Sequence, residues 1–221
     1  MKVGILIPAY NESGGIKELV TRLKGMGFTP TVIDDGSTDN TAEEAREGGA
    51  EVISHKRNLG KGASLKTGFE HTLKEGYDAV LIMDGDGQHS PADIKKFLEL
   101  AEKHTDAMII GNRMDNTKNM PRDRKLTNMF MSFITSLICG QKIPDSQCGF
   151  RLIRKELLQN ITIESLRFEV ESEILIKACR RGTKILSVPI ETLYGKEASQ
   201  INPIWDTCRY VAFLLRLPFL K

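Results

Sequence analysis

Two carboxylates, Asp84 and Asp86, stand two positions apart in the run MDGDGQH, with Gly85 between them and Gln88 just beyond. Acids at this spacing, in a segment with little side-chain bulk, suit a hard divalent cation such as Mg²⁺ or Mn²⁺, which prefers oxygen ligands and keeps water or phosphate oxygens in the rest of its shell. Gln88 adds a carbonyl oxygen to the same group. The competing reading is a solvated turn, because Asp and Gly are both favoured in turns. A diphosphate ligand would decide between them, since an anion facing acidic loops is repelled unless a cation lies between. His89 reads as packing or hydrogen bonding beside this loop, because Asp and Gln already supply oxygens.

The elements around this run must bring other groups to it. The β-rich runs VGILIP, PTVID, AEVIS and AVLIM alternate with helix-period segments around 14–25, 39–48 and 61–75. Fully apolar strands between amphipathic helices describe an α/β domain with a mainly parallel central sheet flanked by helices. Ligands of such sheets bind outside the carboxyl ends of the strands. The residues there are polar: PAYNE after the first strand, DDGSTDNT after the second, DGDGQH after the fourth and GNR after AMII. Asp35, Asp84, Asp86 and Arg113 are therefore expected to meet in one crevice, with Asp34 serving the backbone of its turn.

The second half is less regular. RDRKLTNMFMSFITSLICG reads as a helix with Asn128, Ser132, Thr135 and Cys139 at helical spacing and bulky apolar groups around most of the remaining circumference. FEVESEILIKACRRG is a helix ended by Gly182, and KILSVPIETLY is a strand. A last helix over 202–221 places Asp206, Arg209 and Arg216 near one face and Trp205, Val211, Leu214, Leu215 and Leu217 over much of the rest. That pattern suits a helix lying in a membrane interface, the reading preferred here over one packed on protein, which has the same composition. The expected organisation is a catalytic domain over 1–201 followed by this amphipathic helix.

Composition narrows the class. A chain of 221 residues with 40% apolar and 27% charged residues is long enough for one domain with a sizeable core. A net charge of +2, with acids and bases interspersed, argues against a nucleic-acid-binding face. Cys139, Cys148, Cys179 and Cys208 form no CxxC pair and have no histidine at ligand spacing, so they read as cytosolic thiols. The N-terminal run lacks the features of a signal peptide, and no stretch approaches the roughly 20 apolar residues that span a bilayer. A cytoplasmic place is expected, dissolved or peripheral on the membrane face. No P-loop spacing or GxGxxG occurs, and Lys61 in NLGKGAS reads as a surface charge.

In order, IPAYNE, VIDDGSTDNT, NLGKGASLKTGF, DGDGQH, GNR and DSQCGFR resemble the motifs of family 2 glycosyltransferases with the GT-A fold. Over residues 3–200 the sequence is most similar to dolichyl-phosphate mannosyltransferases and related polyprenyl-phosphate glycosyltransferases. The resemblance implies that Pro8, Tyr10, Glu12, Ile33 and Asp35 hold the base and ribose of a nucleotide-diphosphate sugar. Asp84 and Gly85 would face the nucleotide, Asp86 and Gln88 would bind Mg²⁺ or Mn²⁺, and Arg113 and Arg124 would contact the phosphates. Asp145 and Arg151 would line the acceptor side, with Glu171 near the sugar. Asp84, Asp86, Arg113 and Asp145 are the catalytic candidates. Arg124 also suits a solvated helix end, and Asp145 after Pro144 a turn or helix cap. The chain departs from the family at Gln200, where a phosphate-binding Lys is usual, and at Thr192, where some relatives carry Arg. Lys196 is the available substitute.

The expected reaction is inverting transfer of a hexose from a GDP-mannose or UDP-glucose type donor to a polyprenyl or dolichyl phosphate. Such a phosphate, with a second pKa of about 6, is already an anion at neutral pH and needs no strong base. A hydroxyl acceptor would need one, and Asp145 is the candidate. The alternatives are a non-lipid glycan acceptor and a non-catalytic nucleotide-sugar-binding subunit. A sugar-phosphate nucleotidyltransferase is set aside, because the Gly-rich, Arg- and Lys-bearing N-terminal signature is missing from MKVGILIPAYNESGG.

Overall fold

The computed structural model describes residues 1–191 except 119 and 168, together with Tyr210, Phe213 and Leu214. The strands are β1 (Val3–Ala9), β2 (Thr31–Asp34), β3 (Glu51–Ser54), β4 (Ala79–Ile82), β5 (Ala107–Asn112), β6 (Arg151–Arg154) and β7 (Lys184–Pro189). The helices are α1 (Ile16–Gly25), α2 (Thr41–Glu47), α3 (Lys61–Lys74), α4 (Ile94–Lys103), α5 (Arg122–Cys139), α6 (Lys155–Asn160) and α7 (Val170–Arg180). The strands form one sheet in the order β3-β2-β1-β4-β6-β5-β7, parallel except for β6, which runs antiparallel to both neighbours.

The apolar runs are explained by burial on both faces of the sheet. Successive side chains of a strand point to opposite faces. Ile5, Ile7, Leu81 and Leu152 accordingly pack under Leu19, Leu23 and Phe97 of α1 and α4. Their neighbours Leu6, Val80, Ile82 and Ile153 pack under Leu65 and Phe69 of α3 and Ile174 and Leu175 of α7. The helices expected before residue 183 and the first four strands are present within a few residues of their anticipated ends. The antiparallel β6 is new, because RLIR is four residues long with an arginine at each end and carries little strand signature.

Helix α5 is inverted in polarity. Its buried positions are Asn128, Met131, Ser132 and Thr135, whereas Leu126, Met129, Phe130, Phe133 and Leu137 are exposed, the first of them by 66%. The hydroxyls on this side are used: Ser132 Oγ, buried, accepts the Ser146 N–H at 2.9 Å, and Ser136 Oγ, half-buried, accepts the Ile143 N–H at 2.9 Å. The segment before β6 is thereby fastened to α5. Tyr210 and Phe213 pack against Met131 and Ile176, with Tyr210 Oη 2.7 Å from Thr135 Oγ1. The remainder of the anticipated 202–221 helix lies outside the described residues, as do Thr192, Lys196 and Gln200. Among the described residues no helix is long and apolar enough to cross a membrane.

Candidate active site

The loops after β1, β2, β4 and β5 meet at the carboxyl edge of the parallel strands, as the topology of such sheets requires. The first two are joined by their own polar groups. Asn11 Oδ1 accepts the Thr38 N–H at 2.9 Å, the Asn11 N–H donates to Ser37 Oγ at 3.0 Å, and the Glu12 N–H donates to Thr41 Oγ1 at 2.8 Å. Asn11 adopts φ of +57° to do so, a region that Asn tolerates better than most residues. Asp34 Oδ1 accepts the Ser37 N–H at 3.1 Å, the turn role anticipated for it.

Asp35 turns toward the third loop. Its carboxylate accepts the Leu59 and Gly60 N–H groups at 3.0 and 2.7 Å and lies 2.7 Å from His55 Nδ1. It therefore shapes the NLGKG loop. Ile33, expected against a base, is wholly buried in the core beside Leu6 and has no side-chain surface to offer a ligand. Pro8 is buried at the end of β1, and Tyr10 and Glu12 are half-buried in the loop that follows.

Lys61 corrects the sequence reading. Its Nζ lies 2.5 Å from Asp84 Oδ1 and 2.6 Å from Glu171 Oε1, with 15% of the side chain exposed. It is not a surface charge, because its partners come from the loop after β4 and from α7, far away in sequence. Close backbone approach sets the position: the Gly62 N–H donates to Leu166 O at 2.9 Å, and a Cβ at Gly62 would overlap the Ser165 carbonyl oxygen. That segment is held in turn by Glu173, whose wholly buried carboxylate accepts the Glu164 and Ser165 N–H groups at 2.9 and 2.8 Å. Gly149 was also missed. A Cβ there would collide with both carboxylate oxygens of Asp84, so the absence of a side chain lets the DSQCGF segment lie against that acid.

The charges in the crevice act on one another. Burial disfavours the ammonium of Lys61, but Asp84 and Glu171 outweigh it and hold the group charged beyond its usual range. Burial likewise disfavours the Asp84 carboxylate, but Lys61 and then His89 hold it well below the usual carboxylate range. Asp86 is pushed the other way, by burial and then by the charge of Asp84. One of its oxygens accepts the Gln88 N–H at 2.9 Å. His89 packs as expected, stacked on Phe150 at 5.0 Å, with Nδ1 accepting the Asp84 N–H at 3.3 Å.

Asp84 is thus committed to Lys61, while Asp86 sits half-buried where a nearby positive charge would stabilise its ionised form. A carboxylate in that setting, with Gln88 two residues on and half-buried, is a donor set whose oxygen chemistry fits Mg²⁺ or Mn²⁺. Among the described residues no three His, Cys, Asp or Glu side chains are grouped to hold a metal. An ion with one or two protein ligands and a shell completed by phosphates and water matches such a site.

Arg113 and Asp145 form a buried pair. The guanidinium Nε and Nη2 donate to Asp145 Oδ2 and Oδ1 at 2.7 and 2.8 Å. Burial opposes ionisation of Asp145, and Arg113 outweighs it, so the carboxyl is held below its usual range. A wholly buried carboxylate with both oxygens on one arginine is badly placed as a general base, which corrects that part of the expectation. Arg151 is corrected too: instead of lining an acceptor surface it is 1% exposed. Its donors are spent on the carbonyls of Cys148, Glu171 and Ser146 at 2.7, 2.5 and 2.7 Å, bracing a loop that has no ladder of its own. Arg124 is half-buried in the first turn of α5. Glu171 reaches the crevice through Lys61.

The family model described as Glycosyl transferase family 2 matches residues 4–162. A UDP-N-acetylglucosamine–dolichyl-phosphate N-acetylglucosaminyltransferase of Methanococcus voltae is 34% identical over 213 residues, covering 86% of this chain and 85% of its own. A dolichol-phosphate mannosyltransferase of Pyrococcus furiosus is 31% identical over 232 residues, covering 98% of this chain and 64% of its own. Among solved structures, the glucosyl-3-phosphoglycerate synthase of Mycobacterium tuberculosis, crystallised with Mn²⁺, UDP-glucose and phosphoglyceric acid, superposes with a TM-score of 0.79 at 18% identity, covering 100% of this chain and 80% of its own. That likeness shows the fold, which is of the GT-A type.

Proposed function

The chain belongs to glycosyl transferase family 2, and from that premise we propose that it is an inverting hexosyltransferase carrying a sugar from a nucleotide-diphosphate donor to a polyprenyl or dolichyl phosphate. The observation that carries this reading is the pair after β4: Asp84 locked to Lys61, and Asp86 held where its charge calls for a cation. The names of the Methanococcus voltae and Pyrococcus furiosus relatives support a lipid-phosphate acceptor.

In this reading Asp86 and Gln88 hold Mg²⁺ or Mn²⁺, and the bound ion supplies neutralisation of charge on the departing diphosphate. The loop of Pro8, Tyr10 and Glu12 forms the wall for the nucleoside. Arg113, its plane fixed by Asp145, places fixed positive charge at the end of β5, where charge develops on the phosphates. Arg124, in the first turn of α5, is the second guanidinium this reading assigns to the phosphates. The acceptor phosphate is itself an anion near neutral pH, with a second pKa of about 6, so no protein base is required. This agrees with an Asp145 that orients an arginine. The exposed apolar stripe of α5 lies in the cytoplasmic membrane interface, where the lipid tail of the acceptor resides.

The test is transfer of radiolabel from GDP-mannose, UDP-glucose or UDP-N-acetylglucosamine, with Mg²⁺ or Mn²⁺, into organic solvent in the presence of a polyprenyl phosphate. Label moving only to a soluble glycan, or from none of the donors, would sink the proposal. A covalent glycosyl-enzyme would sink the inverting mechanism.

A further inference from the structure

Cys139 closes α5 and Cys179 stands in the last turn of α7, two helices that pack side by side. Both thiols are free and half-buried. Cys139 Sγ lies 4.0 Å from the carbonyl oxygen of Leu175, one turn before Cys179 on α7. Helical side chains lean toward the N-terminus of their helix, so Cys179 Sγ reaches back over that same carbonyl. The two thiols hydrogen-bond one another there, which pushes Cys139 up and draws Cys179 below the usual thiol value. Gln141 fixes the arrangement: its Nε2 donates to Cys179 Sγ and to Thr183 O at 3.1 Å each, and its Oε1 accepts the Ile185 N–H at 3.0 Å. The turn that leaves α5 is thereby tied to the turn that leaves α7. Arg180 and Arg181, both exposed, follow Cys179, and nearby positive charge favours a thiolate. Cys148 is the contrast. It is wholly buried, and burial pushes its thiol up to about 12, the setting of an inert cysteine.

We propose that Cys139 and Cys179 form a reversible dithiol–disulfide site whose reaction partner is a low-molecular-weight disulfide. The Cys179 thiolate attacks one sulfur of that molecule, its S–S bond breaks, and one thiolate leaves as the mixed disulfide forms. The Cys139 thiolate then attacks Cys179 Sγ and displaces the second thiolate. The protein gives up two electrons and two protons, and the small disulfide becomes two thiols. The new bond closes the chain between residues 139 and 179, which carries Asp145, Gly149, Arg151 and Glu171. Oxidation therefore clamps the frame of the crevice without consuming a group inside it, and an excess of small thiol releases the clamp. In a reducing compartment such a bond is transient and serves sensing.

The test exposes the full chain to oxidised glutathione, then alkylates the remaining thiols and maps the peptides by mass spectrometry without reduction. Wild type and Cys148→Ser are each expected to give a single chain in which the Cys139 and Cys179 peptides are joined. The melting temperature should rise by about 5–15 °C, because a cross-link that closes a long loop restricts the unfolded chain, and should return on adding dithiothreitol. Cys139→Ser is expected to stop at a glutathione adduct on Cys179, the first step of the exchange. Both thiols alkylated after exposure to the oxidant would overturn the proposal. Pairing of either one with Cys148, with Cys208 or with a second chain would overturn it too, as would a joined pair that leaves the melting temperature unchanged or lowers it. The peptide map of wild type decides even where Cys139→Ser does not fold.

Discussion

Asp145 grips Arg113 with both carboxylate oxygens, at 2.7 Å to Nε and 2.8 Å to Nη2, and also accepts the Arg113 backbone N–H at 3.1 Å. One acid thus fixes both the main chain and the side-chain plane of the residue that leaves β5. Removing one member of such a pair leaves the other charged and buried, which typically costs about 3–5 kcal/mol. Asp145→Ala is accordingly expected to lower the unfolding free energy by about that much in urea titration. A loss below about 1 kcal/mol, the range of an exposed ion pair, would mean the pair is solvated.

The same pair sets a pH dependence. The Asp145 carboxyl is held below its ordinary value of 3.8 in the folded protein. Its stabilising contribution is therefore complete above that value and is lost as the pH falls through the depressed folded value. Melting temperature should drop on acidification below 3.8 more steeply in wild type than in Asp145→Asn. Parallel acid limbs would show that the two states bind this proton alike.

These groups differ in how far the sequence disclosed them. β1, β2 and β4 were legible because both faces are covered, so their central positions are apolar and the polar residues at or just after each strand's end mark a loop. Asp84, Asp86 and Arg113 followed from that rule and the topology. Lys61 did not, because its partners are brought to it by close packing of glycines against Ser165 and Leu166. Asp145 and Arg151 were legible as polar residues of one motif, DSQCGFR. Their burial was not, since each is compensated by a partner, Arg113 for one and three backbone carbonyls for the other.

Gly149 gives a test of the crevice that avoids its charges. A methyl group there meets the Asp84 carboxylate, and relieving the overlap means displacing either the acid or the loop. Gly149→Ala is expected to fold, at a cost of about 1–3 kcal/mol typical of overpacking. It should bind nucleotide sugars at least about tenfold more weakly, one misplaced charge-assisted contact being worth that much. Wild-type affinity by calorimetry would show that Asp84 is free to move aside.

Asp86 carries the expected metal dependence. If an ion bridges this acid and the diphosphate, chelation by EDTA and the Asp86→Ala substitution should each weaken nucleotide-sugar binding, and together they should do no more than either alone. That non-additivity is the mark of two changes acting on one interaction. Thermal shift with and without Mg²⁺ reads it directly, since a ligand that binds only the native state raises the melting temperature. Full stabilisation by nucleotide sugar in EDTA would contradict the role given to Asp86 and Gln88.

The outward face of α5 is the last feature open to experiment. Leu126, Phe130, Phe133 and Leu137 follow one another at helical spacing and are exposed by 66, 50, 60 and 64%. The opposite face holds the loop of Asp145 through Ser132 and Ser136, so the helix cannot turn its apolar side inward without releasing that loop. Changing the four exposed residues to Ser should therefore leave the melting temperature nearly unchanged, each surface substitution away from packed contacts being worth within about 0.5 kcal/mol. It should also abolish flotation with liposomes, because burial of such side chains is worth about 1.5–3 kcal/mol each when complete. A wild-type chain that stays at the bottom of the gradient would remove the bilayer from the proposal. A variant that melts early would show that these side chains are covered by protein.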